Sequence, residues 1–399
     1  MLAAVGKRCW ALLLPWLLGA SACQGAGPAD RPVAAQAPVV ELAGTAASPE
    51  FEPTGMSFID ESHGWVIGEA QCPDGGEPPG APDPAGDWRR SRCLRIVRTR
   101  DGGHSWEATA TPATGGRSRS GGSGEYVRGI RFADEENGWA FDRDLWSTHD
   151  GGDTWTALRL GSPVMALETT GRHAYAVVAS CRLSRSDCHG PVRLYETTVG
   201  SDDWRPVFDI AGSPHSAGSL VVSGRSVYLV VHPRPFEDQT KSDEGPSLFA
   251  LTPAGRWERR ALPPSCDWGV PQLAAATPRD LFLSCVTDQG AGGSAPHEFH
   301  VSHDGGHRWT RIWKGRSVYF SPIAVTSEGR FLAESTADLR IDRPDGSQEM
   351  QNFTASGKYP YGESILAIQF LTASYGIVLT SNEVYVSRDA GRHWDPLSR

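Results

Sequence analysis

Four carboxylates recur at a fixed place in one short pattern, S/T-x-D-x-G-x-x-W, where they could bind a cation or carry acid–base chemistry. In such a turn the Asp accepts backbone N–H bonds, the Gly takes a positive φ and the Trp buries a large ring. The turn backbone therefore needs the carboxylate, and a calcium loop of the EF-hand type has more acidic positions. The pattern predicts a structural hairpin clip, whose residues are Asp101, Gly103 and Trp106; Asp150, Gly152 and Trp155; Asp304, Gly306 and Trp309; and Asp389, Gly391 and Trp394.

Two further groups could do chemistry, and each has a structural explanation. His300, His303 and His307 flank one clip, but in a strand and turn we expect them to splay into solvent rather than converge on zinc. The acidic turns Asp60–Glu61 and Asp134–Glu136 occupy equivalent positions of a repeated turn, so the repeat explains them without catalysis. There is no phosphate-cradling glycine loop and no Ser-His-Asp signature. We therefore predict no catalytic residue, no metal and no cofactor.

Arginines concentrate between residues 89 and 131 of an acidic chain. Arg89, Arg90 and Arg92 form the candidate binding patch, for an anionic partner such as an acidic protein face, a glycan or a lipid headgroup. Solvated charge on strands and loops is the alternative explanation. After loss of Lys7 and Arg8 with the signal peptide described below, 36 basic residues face 47 acidic ones, which argues against general nucleic-acid binding.

The intervals between clips reveal the repeat that must position them. Degenerate copies fill the gaps at Trp204, at Trp257 and at Asp345–Met350, so that successive clips stand 49, 49, 53, 52, 41 and 44 residues apart. Seven units of short apolar strands, with a period in the forties, are typical of propeller blades. The sequence predicts an all-β fold, a seven-bladed β-propeller of four-stranded antiparallel blades whose last two strands are joined by the clip.

The blades are expected at 51–110, 126–160, 161–207, 213–260, 268–314, 319–353 and 362–399. Units 1, 2 and 7 share a strand lead in which a Phe precedes a Gly by six residues, at Phe58, Phe132 and Phe370. Because little chain follows the last clip, we expect residues 39–42 to pair with blade 7 and close the ring. Surface loops are expected at Asp74–Trp88, Gly115–Gly124 and Pro233–Pro246.

The N-terminus reads as an export signal. Residues 1–22 combine a basic start, an apolar run too short to span a bilayer, and small residues before Cys23. Cys23 follows Ala20-Ser21-Ala22, which resembles a lipobox, although Ala20 stands where Leu is usual. We predict lipidation at Cys23, a flexible tether at 23–38 and one propeller domain at 39–399. The expected location is a bacterial cell envelope, as a membrane-anchored lipoprotein; a secreted soluble protein is the alternative.

The other cysteines of the mature chain can pair evenly, which leaves Cys23 as the odd one. They fall in three sequence-near pairs, Cys72 with Cys93, Cys181 with Cys188 and Cys266 with Cys285. Sequence alone allows about 15 connectivities, and local pairing is favoured only if each pair lies within one blade. An oxidising compartment would preserve such disulfides.

The four clips resemble the BNR or Asp-box repeat, and together with the Gly-Trp leads at Gly64-Trp65 and Gly138-Trp139 they resemble most the photosystem II assembly-factor-like propellers. That resemblance implies a non-catalytic scaffold that binds or assembles other proteins. Sialidases also carry Asp-boxes, away from their active site, but their Arg-Ile-Pro element is missing here, and the adjacent Tyr195 and Glu196 would point to opposite faces of a strand.

We therefore predict a monomeric, envelope-anchored scaffold that binds a protein or glycan partner, does not bind nucleic acid and meets the membrane only through its lipid. A sialidase-like glycoside hydrolase and a lectin-like propeller are the alternatives.

Overall fold

The computed structural model describes residues 51–71, 92–113, 127–142, 144–179, 191–210, 216–232, 245–252, 254–267, 271–288, 294–318, 322–333, 337–353 and 364–397. These residues form seven sheets of four antiparallel strands, each sheet from four consecutive strands. The seven-bladed propeller is thereby confirmed, and the predicted blade limits lie within four residues of the strand limits. Within these ranges no helix has the length and apolar character needed to cross a membrane.

The strands of blades 1 to 4 are β1 (Glu52–Phe58), β2 (Gly64–Gln71), β3 (Arg92–Thr99) and β4 (Glu107–Ala108); β5 (Val127–Phe132), β6 (Gly138–Asp142), β7 (Leu145–Thr148) and β8 (Thr156–Leu158); β9 (Val164–Thr170), β10 (His173–Ala179), β11 (Val192–Thr198) and β12 (Arg205–Ile210); β13 (Ser216–Ser223), β14 (Ser226–His232), β15 (Ser247–Leu251) and β16 (Trp257–Ala261). Those of blades 5 to 7 are β17 (Gln272–Ala275), β18 (Leu281–Val286), β19 (Ser294–Ser302) and β20 (Thr310–Val318); β21 (Ile323–Thr326), β22 (Gly329–Ala333), β23 (Asp338–Asp342) and β24 (Gln348–Asn352); β25 (Ile365–Phe370), β26 (Gly376–Thr380), β27 (Val384–Ser387) and β28 (Asp395–Pro396). A 3₁₀ turn, Pro264–Cys266, precedes blade 5.

The first strand of each blade lies innermost, because these seven strands contact one another in sequence around the ring. The second strands carry the most apolar runs: every residue of β18 and of β26 is buried. Such runs are expected for strands that are covered on both faces by neighbouring sheets. The core is accordingly a series of apolar clusters between adjacent blades, with Tyr175 and Val177 of blade 3, for example, packing against Val227 and Leu229 of blade 4.

Each clip is held by its first hydroxyl as well as by its carboxylate. Thr148 Oγ1 donates to Asp150 Oδ1 at 2.8 Å and accepts the Gly152 N–H at 2.9 Å, while Asp150 Oδ1 also accepts the Thr154 N–H at 2.9 Å. The same three bonds recur, at 2.7–2.9 Å, in the clips that begin at Thr99, Ser302 and Ser387. Two consecutive positive-φ residues follow, Gly151 and Gly152 in blade 2. In blade 7 the first of these positions is Ala390, at φ 62°.

The clip tryptophans pack backwards, against the preceding blade. Trp155 of blade 2 joins a cluster with Ile67 and Ile96 of blade 1, and Trp106 of blade 1 joins one with Ile377 and Val386 of blade 7. Trp309 and Trp394 pack in the same way against blades 4 and 6. The indoles thus occupy matching corners of successive sheets.

The degenerate copies retain this wedge where they retain the indole. Trp204 meets Trp139 of blade 2 edge to face at 6.0 Å, and Trp257 stacks on Phe208 of blade 3 at 4.6 Å. In blade 6 the side chain at the wedge position, Met350, is 59% exposed. A different contact spans that interface: the guanidinium of Arg340 lies 4.8 Å from the ring centroid of Trp313 in blade 5.

The shared strand lead has a packing explanation. Phe58, Phe132 and Phe370 each pair across the hairpin with a glycine, and each ring meets the clip tryptophan of its own blade edge to face at 6.3 Å. A Cβ on the paired glycine would lie 2.2–2.6 Å from that ring. The glycine is therefore required because the Phe ring lies across it. Phe132 also stacks on Trp65 of blade 1, with 3.6 Å between centroids.

The ring closes between blades 7 and 1 through side chains. Gln369 accepts the Phe58 N–H at 3.1 Å and donates to the Phe58 carbonyl at 2.7 Å. Leu397, just after β28, packs in the same cluster as Phe58. The outer strand of blade 7 is β28 itself, which pairs with Tyr385 and Val386, although we expected too little chain there to form one. Residues 39–42, which we expected in that place, lie outside the described residues.

Replacing Gly138 by Ala tests whether the glycine is required because the Phe132 ring lies across it. The new Cβ would lie 2.5 Å from the Phe132 ring, and overpacking of this kind lowers stability by about 1–3 kcal/mol. Urea unfolding of Gly138→Ala should show this loss. A double-mutant cycle with Phe132→Leu provides the control, because the penalty should shrink once the ring is smaller. An equal penalty in both backgrounds would contradict this explanation.

Candidate functional site

The seven innermost strands surround a central channel of about 760 Å³. Among the described residues, half-buried apolar side chains make up much of its wall: Ala166, Val222, Ala275, Ile323, Val325 and Ile368. Alternate residues of an inner strand face the blades on either side, so strand edges also reach the channel. Polar atoms contribute more of the exposed wall than apolar atoms do.

One ion pair lies on this wall. Arg131 Nη2 of β5 donates to Glu168 Oε1 of β9 at 2.6 Å, which joins blade 2 to blade 3. Burial raises the pKa of Glu168, and the Arg131 charge opposes that rise. Among the described residues of the lining, these are the one acidic and the one basic side chain. Their charges compensate each other, so this part of the wall has no net charge.

Other polar groups of the wall are occupied in joining neighbouring blades. Ser219 Oγ accepts the Leu273 N–H of the next blade at 2.9 Å, and the amide of Gln369 forms hydrogen bonds with the backbone of Phe58 through both its oxygen and its nitrogen. Ser57 Oγ, at the position in blade 1 that matches Gln369 in blade 7, accepts the Phe132 N–H at 2.8 Å. These polar side chains of the inner strands therefore stabilise the ring.

A second set of bridges lies at the clips, where an arginine of one blade binds the clip of the next. Arg98, Arg260 and Arg343, at most 10% exposed, each donate Nη1 to the carbonyl of the first positive-φ clip residue. The acceptors are Gly151 at 3.1 Å, Gly305, and Ala390 at 2.6 Å.

Each of these three arginines also has a carboxylate partner, which is Glu107, Glu258 and Glu349, respectively. The three arginines stand at different places in their repeats, so sequence comparison of the units does not reveal them. We call them the interblade arginines.

Folding lowers the pKa values of the clip carboxyl groups. Burial acts to raise the pKa of Asp389, but hydrogen bonds from His393 and Ser387 outweigh it and lower the pKa to about 2. The pKa values of Asp101, Asp150 and Asp304 are lowered as well, the last chiefly by the Arg308 N–H. A carboxyl whose pKa is depressed by folding stabilises the fold above its unfolded pKa, and that stabilisation is lost as pH falls through the folded value.

The candidate patch of arginines stays a prediction, because Arg89, Arg90 and the side chain of Arg92 lie outside the described residues. Neighbouring arginines of the same cluster are engaged: Arg98 and Arg100 both pair with Glu107, and Arg131 pairs with Glu168.

The expectation that all three histidines face solvent is wrong for His300. His303 is 77% exposed and bonds to Asp280 at 2.8 Å, whereas His300 is 4% exposed, because β19 turns it inward against the turn at Pro264–Cys266. Of the adjacent residues Tyr195 and Glu196 that were compared with the sialidase pair, Glu196 accepts the Tyr175 hydroxyl and pairs with His173.

The acidic turns are stabilised by their own carboxylates, with Asp60 accepting the Ser62 and His63 N–H groups at 2.7 Å.

A disulfide joins Cys266, in the 3₁₀ turn, to Cys285 of β18, with both sulfurs buried. Cys93 is also disulfide-bonded. Cys72, Cys181, Cys188 and Cys23 lie outside the described residues. Local pairing of cysteines is thus seen for one of the three predicted pairs.

Similarity to known proteins comes from structure alone. No protein-family model matches the chain, and no curated protein matches it. A structure of YCF48 bound to a D1 peptide matches with a TM-score of 0.53 and 19% identity, covering 86% of this chain and 94% of that one. The chain shares the fold of YCF48.

YCF48 from Cyanidioschyzon merolae also matches at 0.53, with 14% identity over 86% of this chain and 97% of that one. The propeller domain of the Trilobed protease from Pyrococcus furiosus, described as having an open velcro topology, matches at 0.51 with 10% identity, over 88% and 96% of the two chains. The similarity to the photosystem II assembly-factor group is therefore confirmed at the level of fold.

Replacing Arg343 by Met tests the interblade arginines. Arg343 is buried, and the variant would leave the Ala390 carbonyl and Glu349 without their donor. Loss of hydrogen bonds to a charged group lowers stability by about 1.5–3 kcal/mol each, and chemical denaturation should show a loss in this range. The matched control is Arg193→Met, whose ion pair with Asp209 is exposed and should contribute much less to stability. Equal losses in the two variants would contradict the role assigned to Arg343.

Proposed function

We propose that the protein is an exported, lipid-anchored scaffold of the cell envelope that binds an extended segment of a partner protein at its central channel. The observation that carries the proposal is the character of the channel wall. Half-buried apolar side chains such as Val222, Ile323 and Val325 line it among exposed polar atoms, and its described acid and base are paired with each other. A concave wall that combines apolar side chains with placed polar groups is the usual environment for ligand recognition.

The mixed composition of the wall suits an extended protein segment. The backbone of such a segment would hydrogen-bond with exposed polar atoms of the wall, while Ser219 and Gln369 keep joining the blades. Apolar side chains of the segment would bury surface against Val222 and Val325, at about 25 cal/mol per Å². The wall therefore favours a partner that offers apolar side chains on an extended backbone.

Glycoside hydrolysis uses two carboxylates on either side of the scissile bond. The described lining of the channel has Glu168, which is held at 2.6 Å by Arg131. This arrangement supports binding over the sialidase-like alternative. Fold similarity does not decide between them, because propellers host unrelated functions.

The structural neighbour YCF48 has been solved with a D1 peptide bound. At 19% identity that likeness concerns the fold, so it supports a peptide partner by analogy and does not identify one. The partner of this chain is defined here by its chemistry: an extended segment with apolar side chains that reaches into the channel.

Site-specific photocrosslinking in native membranes tests the proposal. Val325 in the channel, and separately Ile312 on the outer strand of blade 5, would be replaced by benzoylphenylalanine; Ile312 is 39% exposed and serves as the control. We expect a discrete adduct from position 325 but not from 312, with mass spectrometry identifying one linear segment of a partner protein.

Two outcomes would overturn this function. The first is adducts of equal yield from both positions. The second is turnover of a fluorogenic glycoside by the purified domain that Glu168→Gln abolishes, which would establish the hydrolase alternative.

The lipid anchor is tested by Cys23→Ser. If the thiol of Cys23 carries diacylglycerol, this variant should move from the membrane fraction to the soluble envelope fraction, because one residue then supplies the whole membrane affinity. Fractionation and immunoblotting measure the shift, and Cys9→Ser, within the predicted signal peptide, is the control. Retention of Cys23→Ser in the membrane fraction would mean that another segment tethers the chain.

A further inference from the structure

A buried sulfur and imidazole cluster lies outside the channel, between blade 5 and the turn before it. The two sulfurs of Cys266 and Cys285 and a ring nitrogen of His300 all lie within 4.8 Å of one another. Both cysteines are 0% exposed and His300 is 4% exposed. The residues come from three places in the chain, the 3₁₀ turn, β18 and β19, so the cluster does not form a short sequence motif.

The imidazole is oriented by one of its nitrogens and leaves the other free. His300 Nε2 lies 3.2 Å from Ser265 Oγ and 3.5 Å from Glu298 Oε2. His300 Nδ1 is buried and has no hydrogen-bond partner. Metal-binding histidines show this division, in which one nitrogen binds the ion and the other is held by a carboxylate or hydroxyl.

The carboxylate beside the ring is held in place as well. Glu298 is itself fixed by Lys314 and Arg311, at 3.2 Å each. An unpartnered nitrogen in such a buried place is expensive unless it gains a partner.

We propose that, in the reduced chain, Cys266, Cys285 and Nδ1 of His300 bind one thiophilic divalent cation such as Zn²⁺. Two thiolates and one imidazole are a familiar zinc ligand set, and tetrahedral bond lengths put such ligand atoms about 3.5–3.8 Å apart. To reach this spacing the sulfurs would separate from their bonded distance and the ring nitrogen would move closer to them than the present limit of 4.8 Å. The three protein ligands leave the fourth tetrahedral position to an exogenous ligand.

The chemistry couples metal and redox state. Binding to the dithiol releases two protons, one from each thiol, as the two metal–sulfur bonds form. Oxidation of the same sulfurs by a disulfide donor removes two electrons, forms the Cys266–Cys285 bond and releases the cation, while the donor takes up two protons from solvent and becomes a dithiol. The site therefore belongs to the chain before oxidation, and the disulfide described above is its metal-free alternative.

Cobalt titration tests the proposal on the full mature chain. The protein would be reduced anaerobically with a phosphine and titrated with Co²⁺, whose thiolate charge-transfer absorption reports sulfur ligation, and Zn²⁺ would then compete. We expect one Co²⁺ per chain with that absorption, and no uptake by the oxidised chain. His300→Gln, which keeps both cysteines, should weaken binding at least about tenfold, whereas His303→Gln on the nearby clip should not.

The remaining outcomes separate this site from the other cysteines. Cys266→Ser combined with Cys285→Ser should abolish the charge-transfer absorption if the site is the one proposed. Absorption that persists in this double variant, or an affinity that His300→Gln leaves unchanged, would overturn the proposal. So would a reduced wild-type chain that shows no thiolate absorption.

Discussion

The architecture depends on a hydroxyl and a carboxylate that together hold one tight turn. In each clip the Ser or Thr hydroxyl accepts an N–H from across the turn and donates to the Asp, which in turn accepts a second N–H. This network fixes the backbone in a left-handed conformation, which glycine adopts freely and which is unfavourable for Ala390 in blade 7. It also directs the indole towards the preceding blade and presents a carbonyl to that blade's arginine. Local hydrogen bonding thereby sets the geometry between sheets.

The sequence predicted what repeats, because repetition makes a pattern visible. The Asp, Gly and Trp of the clip, the blade number and the blade limits follow from spacing. The Ser or Thr at the start of the clip was part of the pattern, but its two hydrogen bonds were not predicted. The spacing of Phe58 and Gly64 was also recognised, but the packing of the ring over the glycine was not. A strand pairing that brings a ring over a glycine is invisible until the register is known.

What the sequence could not predict comes from residues that differ between repeats. Arg98, Arg260 and Arg343 reach equivalent carbonyls from unequal positions, so no alignment of the units groups them. The channel pair had a detectable signal: Arg131 and Glu168 lie opposite Trp139 and Tyr175 in successive blades, with opposite charge. His300 was misplaced because local spacing says nothing about the turn that covers it.

The direction of packing has a consequence for the order in which the molecule folds. Phe132 and Trp155 of blade 2 settle on blade 1, and Trp394 of blade 7 settles on blade 6. A blade leaving the ribosome or a translocation pore thus finds its docking surface already made upstream, and assembly can proceed vectorially. Blade 1 is the exception, because Phe58 and Trp106 pack against blade 7, which is synthesised last. This apolar surface of blade 1 therefore stays uncovered until blade 7 is made, so the final step of folding is the one that joins the two ends of the chain.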